Sequence, residues 1–226
     1  MTALSTAALA AASAAVLSTA TFGLMLGVAQ NAQAIGLIPN VTATVTGVTS
    51  DPGWGIANTV NGVGLQGPPA NVPSLTGNHS SSTVQNAWRS VAGGTTGTIT
   101  FDLKRVYNLA GFTFWNMGGS SVISAQGIRN LTIQSSTNGT TWTSIVGAPT
   151  SLARGANTSP LAPSNVVSFA PVYASLVRFN VTSSYGIGTT ARIGFSEIQF
   201  RAIPEPSSTL ALLALGLAGI GLRKRI

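Results

Sequence analysis

Between residues 41 and 201, apolar and polar side chains alternate with a period of two, the pattern of strands with one buried face. Val41, Ala43 and Val45 alternate with Thr42, Thr44 and Thr46, and Ile99, Phe101 and Leu103 with Thr98, Thr100 and Asp102. Phe112 and Phe114 flank Thr113, and Leu131 and Ile133 flank Thr132. Val177, Phe179 and Val181 alternate with Arg178, Asn180 and Thr182, and Ile198 and Phe200 with Glu197, Gln199 and Arg201. Gly118-Gly119, Asn138-Gly139, Pro160 to Pro163 and Gly186 to Gly188 mark the turns between them. No stretch of this body has the period of an amphipathic helix. Strands with one apolar face bury it by packing as two facing sheets, so the pattern predicts an all-β sandwich. Asn138-Gly139 predicts a tight hairpin, because both residues tolerate positive φ. Trp88, Trp115 and Trp142, in or beside strands, are expected in the core. Arg178 and Glu197 are expected on polar faces.

The two ends break the rhythm. Met1 to Ala34 carries no charged side chain and holds two apolar stretches, Ala7 to Val16 and Phe22 to Val28, before Asn31-Ala32-Gln33-Ala34. Ala32 and Ala34 fit the small-x-small rule for signal peptidase, so 1–34 reads as a signal peptide and Ile35 as the mature N-terminus. The absence of Lys or Arg near Met1 departs from that rule. At the other end, Pro204-Glu205-Pro206 precedes an uncharged run, Thr209 to Leu222, and then Arg223-Lys224-Arg225. A helix from Ser207 to Leu222 would measure about 24 Å, short of a hydrocarbon core of about 30 Å, which suits a marginal anchor. The basic end would stop on the cytoplasmic side of the inner membrane. Pro204 and Pro206 would keep the preceding chain extended and open to a protease. This three-part tail resembles the PEP-CTERM sorting signal of Gram-negative bacteria. The resemblance implies processing by an exosortase near Pro204-Glu205-Pro206, export, and association with extracellular polysaccharide. The chain thus divides into a signal peptide (1–34), a β-sandwich domain (35–202) and a sorting tail (203–226).

Five ordered blocks of the body carry a second resemblance. They are Trp88 with Gly97 to Leu103, Leu109 to Asn116, Ile128 to Trp142, Val177 to Gly186, and Gly194 to Phe200. In this order and spacing they resemble the discoidin, or coagulation-factor type C, domain, a jelly-roll β-sandwich of the galactose-binding-like class. Lys104 stands where that family usually has Gly after Asp-Leu, and Asn61-Gly62 where Asp-Gly is common. The resemblance implies carbohydrate binding. It also implies one structural Ca²⁺, with Glu197 as one ligand and Asn61, a neutral amide, in place of an early acidic one. Calcium takes six to eight oxygens, so one lost carboxylate weakens such a site without abolishing it.

Composition narrows the chemistry. Only 7% of the 226 residues are charged, and cysteine is absent, which excludes disulfides and thiol chemistry. Three of the net +7 charges come from Arg223, Lys224 and Arg225, and the body's basic residues are scattered singly except for Lys104-Arg105. That is no nucleic-acid stripe. Gly62-Val63-Gly64-Leu65-Gln66-Gly67 spells a dinucleotide motif, but Pro68-Pro69 bars the helix it requires, so a surface loop is expected. His79 is the sole histidine and cannot build a zinc site alone. The body's carboxylates, Asp51, Asp102 and Glu197, offer no evident pair for glycoside hydrolysis, and Asp102 is expected to pair with Lys104 on the surface. Nothing here reads as an enzyme. Six Asn-x-Ser/Thr triplets follow from a strand composition rich in Thr and Asn. Loops at one end of a rigid sandwich are where ligands are held, and four loop residues are candidates for a glycan: Trp54 and Tyr185 in Gly-rich segments, with His79 and Arg154 as hydrogen-bond donors. The reading is a carbohydrate-binding module; the alternative is a structural matrix or surface-coat protein with no specific ligand.

Overall fold

The structure, a computed structural model, describes residues 36–203. The signal-peptide reading at Ala32 and Ala34, the Pro204-Glu205-Pro206 motif and the Arg223-Lys224-Arg225 end lie outside the described residues. The body is all-β. Its strands are β1 (Gly36–Leu37), β2 (Thr42–Thr46), β3 (Leu65–Gln66), β4 (Asn78–His79), β5 (Trp88–Arg89), β6 (Gly97–Asn116), β7 (Ile128–Ser136), β8 (Thr143–Ser144), β9 (Asn165–Ser184) and β10 (Gly194–Ile203). A 3-10 turn at Ile56–Thr59 and a single α-helical turn at Ser121–Ser124 interrupt the loops.

Two of these strands are 20 residues long and serve both sheets. In the first sheet, residues 97–102 of β6 pair with β2 on one side and with residues 176–181 of β9 on the other, and β9 continues to β7 and β8. In the second sheet, residues 107–114 of β6 pair with residues 165–174 of β9 and with β10, which β1 and β5 flank. The alternation at Ile99–Leu103 and at Phe112–Phe114 therefore belongs to one strand that bends between sheets. Its register shifts between Asp102 and Tyr107.

Phenylalanines close the space between the sheets. Phe101 of the first sheet meets Phe200 of the second at 5.2 Å, edge to face, and Phe179 meets Phe112 at 5.5 Å. Phe114 and Phe195 stack at 5.1 Å. Such pairs add about 0.5–1.5 kcal/mol each beyond the area they bury. Trp88 is fully buried beside this cluster and donates its indole N–H to Ser50 Oγ at 2.8 Å.

The polar face of the second sheet is not wet. The long segment between β2 and β6 folds across it, accepting the Thr113 hydroxyl on Leu75 O at 2.8 Å and the Trp115 indole N–H on Gly77 O at 3.2 Å. Trp115 is thus buried as expected, but on the outside of its sheet. Glu197, expected on a polar face, is 0% exposed there. The Gly62–Gly67 segment also belongs to this cover rather than to a free surface loop: Gly62 and Gly64 are buried. A Cβ on Gly62 would lie 2.3 Å from Pro73 N, and one on Gly64 would lie 2.4 Å from the His79 ring. Trp142 is the opposite correction. It is half-buried at the end of the 137–142 turn, with the Arg178 guanidinium 4.2 Å above its ring and its N–H on Gly139 O.

The pairings define two poles. Both ends of the segment 47–96 and the loops 117–127, 153–164 and 185–193 gather at one. The turns 104–106 and 137–142 gather at the other, together with both ends of the body, where Gly36 pairs with Ala202.

Lys104 makes the 104–106 turn with φ of 73°, a left-handed backbone that glycine adopts freely. Its N–H donates to Asp102 Oδ1 at 2.7 Å and its ammonium to Asp102 Oδ2 at 3.0 Å, the ion pair expected from sequence. The exposed pair is worth at most about 1 kcal/mol, while a left-handed non-glycine residue costs roughly 1–2 kcal/mol. Lys104→Gly and Lys104→Val both lose the pair, so comparing them isolates the backbone. We expect Lys104→Gly to exceed Lys104→Val by more than about 1 kcal/mol in urea unfolding. Equal stabilities would refute the strain.

Candidate functional site

Trp54, Arg154 and Tyr185 lie in loops of the first pole and His79 lies on β4, and only Arg154 and Tyr185 share a surface. Tyr185 follows β9 directly. Its hydroxyl donates to Leu152 O at 2.6 Å, which fixes the ring, and the guanidiniums of Arg129 and Arg154 stand 5.6 and 6.0 Å from its centroid. Arg154 is held in turn by Ser124 Oγ at 3.0 Å and Ser121 O at 2.9 Å. The Ser124 hydroxyl is anchored on Asn157 Oδ1 at 2.6 Å. The short helical turn carrying both serines therefore positions Arg154 against Tyr185.

Trp54 and His79 are corrections. Trp54 is 7% exposed and packs with Ala87 and Met117, and the Arg89 guanidinium lies 4.0 Å over its ring. A ligand reaches Arg89, not the indole. His79 is 0% exposed beneath Gly64. Its Nδ1 lies 2.7 Å from Ser80 O and its Nε2 3.1 Å from Val63 O, so the neutral ring, with one N–H, donates to one of these two backbone carbonyls. The histidine is a staple for the segment that covers the second sheet. Its position in a stretch of turn residues gave no hint of this, because the neighbour that buries it comes from elsewhere in the chain.

Sequence reasoning missed two arginines beside Trp54 and Tyr185, Arg89 and Arg192. Arg89 donates Nε to Asp51 Oδ2 at 2.7 Å and Nη1 to Gln126 Oε1 at 3.1 Å. Arg192 shares Asp51 Oδ2 at 3.1 Å and donates to Ser90 O at 2.8 Å. Arg89, Gln126, Tyr185, Gly186 and Arg192 line one open depression of about 520 Å³, with Ile187, 93% exposed, at its rim. The chemistry of this surface is a half-exposed aromatic ring among hydrogen-bond donors. Such a surface stacks the apolar face of a sugar and receives its oxygens. A second depression, about 410 Å³ and lined by Leu37, Arg105, Tyr107 and Ile203, sits at the other pole beside the chain ends.

Glu197, on β10, faces the cover rather than either pole. Gly62 N–H reaches its Oε2 at 3.2 Å and the Gln199 side chain its Oε1. Burial pushes its carboxyl well above the usual carboxylate range, against the lowering effect of those two hydrogen bonds. Asn61 is exposed and its Oδ1 accepts Val63 N–H at 2.9 Å, closing a local turn. The fold therefore brings the Asn61-Gly62 peptide to Glu197, while the Asn61 oxygen caps its own loop. Among the described residues, no three His, Cys, Asp or Glu side chains gather as metal ligands.

His79 gives this architecture a pH dependence. Burial lowers its pKa from the ordinary 6.5, outweighing the two carbonyl contacts that raise it. The unfolded chain therefore takes up the proton first as pH falls below 6.5, and the stability gained from a neutral buried ring, complete above 6.5, drains away. The melting temperature should fall more steeply from about pH 6.5 to about pH 5 in the native chain than in His79→Gln, even though that variant starts lower. Parallel profiles would remove His79 as the cause.

The F5/8 type C domain family matches residues 44–193, and a PEP-CTERM protein-sorting motif matches residues 202–225, starting on the last residues of β10. No curated protein matches the sequence. Among solved structures, the chain is similar to CBM32-3 from a family 31 glycoside hydrolase of Clostridium perfringens, at 16% identity and TM-score 0.50, covering 74% of this chain and 94% of that one. It is similar to the family 32 CBM of C. perfringens NanJ, solved with galactose, at 13% identity and TM-score 0.50, covering 74% and 98%. A family 89 glycoside hydrolase of C. perfringens, solved with GlcNAc-α-1,4-galactose, aligns at 16% identity and TM-score 0.46, covering 76% of this chain and 16% of the enzyme's length. At these identities the structural likeness speaks to the fold. With the family profile spanning the sandwich, the chain is a member of the F5/8 type C domain family that carries a PEP-CTERM sorting motif at its C-terminus.

Proposed function

We propose that the chain is exported, sorted through its tail by an exosortase, and that its β-sandwich binds extracellular polysaccharide. Removal of 1–34 by signal peptidase, a passage of the tail through the inner membrane, and a final place at the cell surface or in the extracellular matrix belong to the same reading. The sorting motif at 202–225 supports export. The observation that carries the sugar-binding half is the depression that Tyr185 and the arginines line at the loop pole. A family 32 CBM of the same fold was solved with galactose, which supports the same class of ligand here. The surface holds and orients a ligand, and we assign it no bond-making role.

Calorimetric titration of the full-length chain in mild detergent with exopolysaccharide fractions tests this. We expect saturable binding that Tyr185→Ala weakens by about tenfold or more, since a stacked aromatic and its fixed geometry are lost together. A flat titration across the fractions would overturn the reading in favour of a matrix protein with no specific ligand.

We further propose that Glu197 holds a structural Ca²⁺, with backbone carbonyls of the covering segment completing its shell. The support is a carboxylate that is fully buried and has no cationic side chain against it among the described residues. Asn61 is not counted among the ligands, since its oxygen caps Val63. The ion would fasten the cover to the second sheet. Millimolar Ca²⁺ should raise the melting temperature of the native chain and leave Glu197→Gln unmoved. A native melting temperature indifferent to Ca²⁺ and chelator would leave Glu197 as a buried neutral acid.

A further inference from the structure

We infer that the loop pole selects anionic polysaccharide, a polymer bearing carboxylate or similar acidic groups, over its neutral counterpart; this rests on the carbohydrate reading and goes on to name the ligand's charge. The body's net positive charge is small and looked scattered along the sequence. The fold sorts it. Arg89, Arg129, Arg154 and Arg192 all come to the one pole, around Tyr185 and the depression beside it. Among the described residues Asp51 is the one carboxylate beside them, since Asp102 sits at the opposite pole and Glu197 is sealed under the cover. Three guanidiniums are left in excess of the one carboxylate.

What those arginines leave free decides the chemistry. Arg89 spends Nε and Nη2 on Asp51 and Nη1 on Gln126, so it is structural. Arg192 commits only Nη1, to Asp51 and Ser90 O, and keeps Nε and Nη2 without a partner among the described residues. Arg129 is exposed, and its guanidinium makes no hydrogen bond or ion pair among the described residues. That guanidinium stands over the Tyr185 ring. A guanidinium presents paired N–H donors in a plane that matches a carboxylate. Two such forks, one in the depression and one over the aromatic ring, fit a sugar that stacks on Tyr185 with an acidic substituent reaching either arginine. A neutral sugar would leave the same charges to water, gaining nothing from them.

The probe is polygalacturonate, and its comparator is the same polymer with the carboxylates reduced to primary alcohols. Binding of both to the full-length chain in mild detergent is followed at about 50 and about 300 mM salt, which screens exposed charge. We expect polygalacturonate to bind at least about tenfold tighter than the reduced polymer and to weaken severalfold at the higher salt. Arg192→Gln should lose about tenfold and Arg129→Gln about threefold, while Arg105→Gln at the opposite pole changes nothing. Equal binding of the two polymers would overturn this inference and leave the carbohydrate reading standing. Binding of neither would overturn both. A loss in Arg105→Gln as large as in Arg129→Gln would reduce the effect to unspecific attraction by a basic protein and overturn it as well.

Discussion

The structure depends on two strands that each belong to both sheets. Because β6 and β9 bend together, with Phe101 and Phe179 in one sheet and Phe112 in the other, the sheets cannot separate without breaking strands that are continuous through the core. The bend needs a residue that turns sharply at 104, and this chain uses a lysine where glycine would sit without strain. It also sends the strand ends of both sheets to the same two poles. Loops that are far apart in sequence, following β2, β6, β8 and β9, then meet over one surface.

The second constraint is the cover over the outer face of the second sheet. It turns residues with polar-face spacing into buried ones and explains why Thr113, Glu197 and Gln199 are nearly or fully buried. Each of these groups needs a partner: the cover supplies Leu75 O for Thr113 and Gly62 N–H for Glu197, and Glu197 in turn accepts the Gln199 amide. Two glycines let the segment fold tightly on itself, since a side chain at 62 or 64 would strike Pro73 or His79 of the same segment. The cover and the sheet thus specify each other.

The strands were legible from alternation because one face of each is apolar whatever lies on the other. The sandwich followed from that, and the order of five blocks pointed to the type C family. The site was legible only where position along a strand determines exposure. Tyr185, one residue past the end of β9, emerges at the pole as expected. Trp54 and His79 were misread because their burial comes from partners remote in sequence: Arg89 stacks on the one, and Gly64 with Val63 closes over the other. Arg89 and Arg192 were overlooked for the same reason. Their contact is made through Asp51, 38 residues from the first and farther still from the second. Trp142 shows the converse error, an aromatic residue near a strand that a turn leaves at the surface.

The pairing of Gly36 with Ala202 has a mechanical meaning. Both chain ends leave the body side by side at the pole opposite the loops. A load between a ligand held at the loops and the chain beyond Ile203 therefore runs lengthwise down β10. That strand is bonded to β6 on one side and to β1 and β5 on the other, so its hydrogen bonds would be loaded together in shear rather than opened one after another. A body built this way would resist being pulled apart along the axis that joins its loop pole to Ile203. Across that axis, where the short β1 can peel from the edge two residues at a time, it yields first.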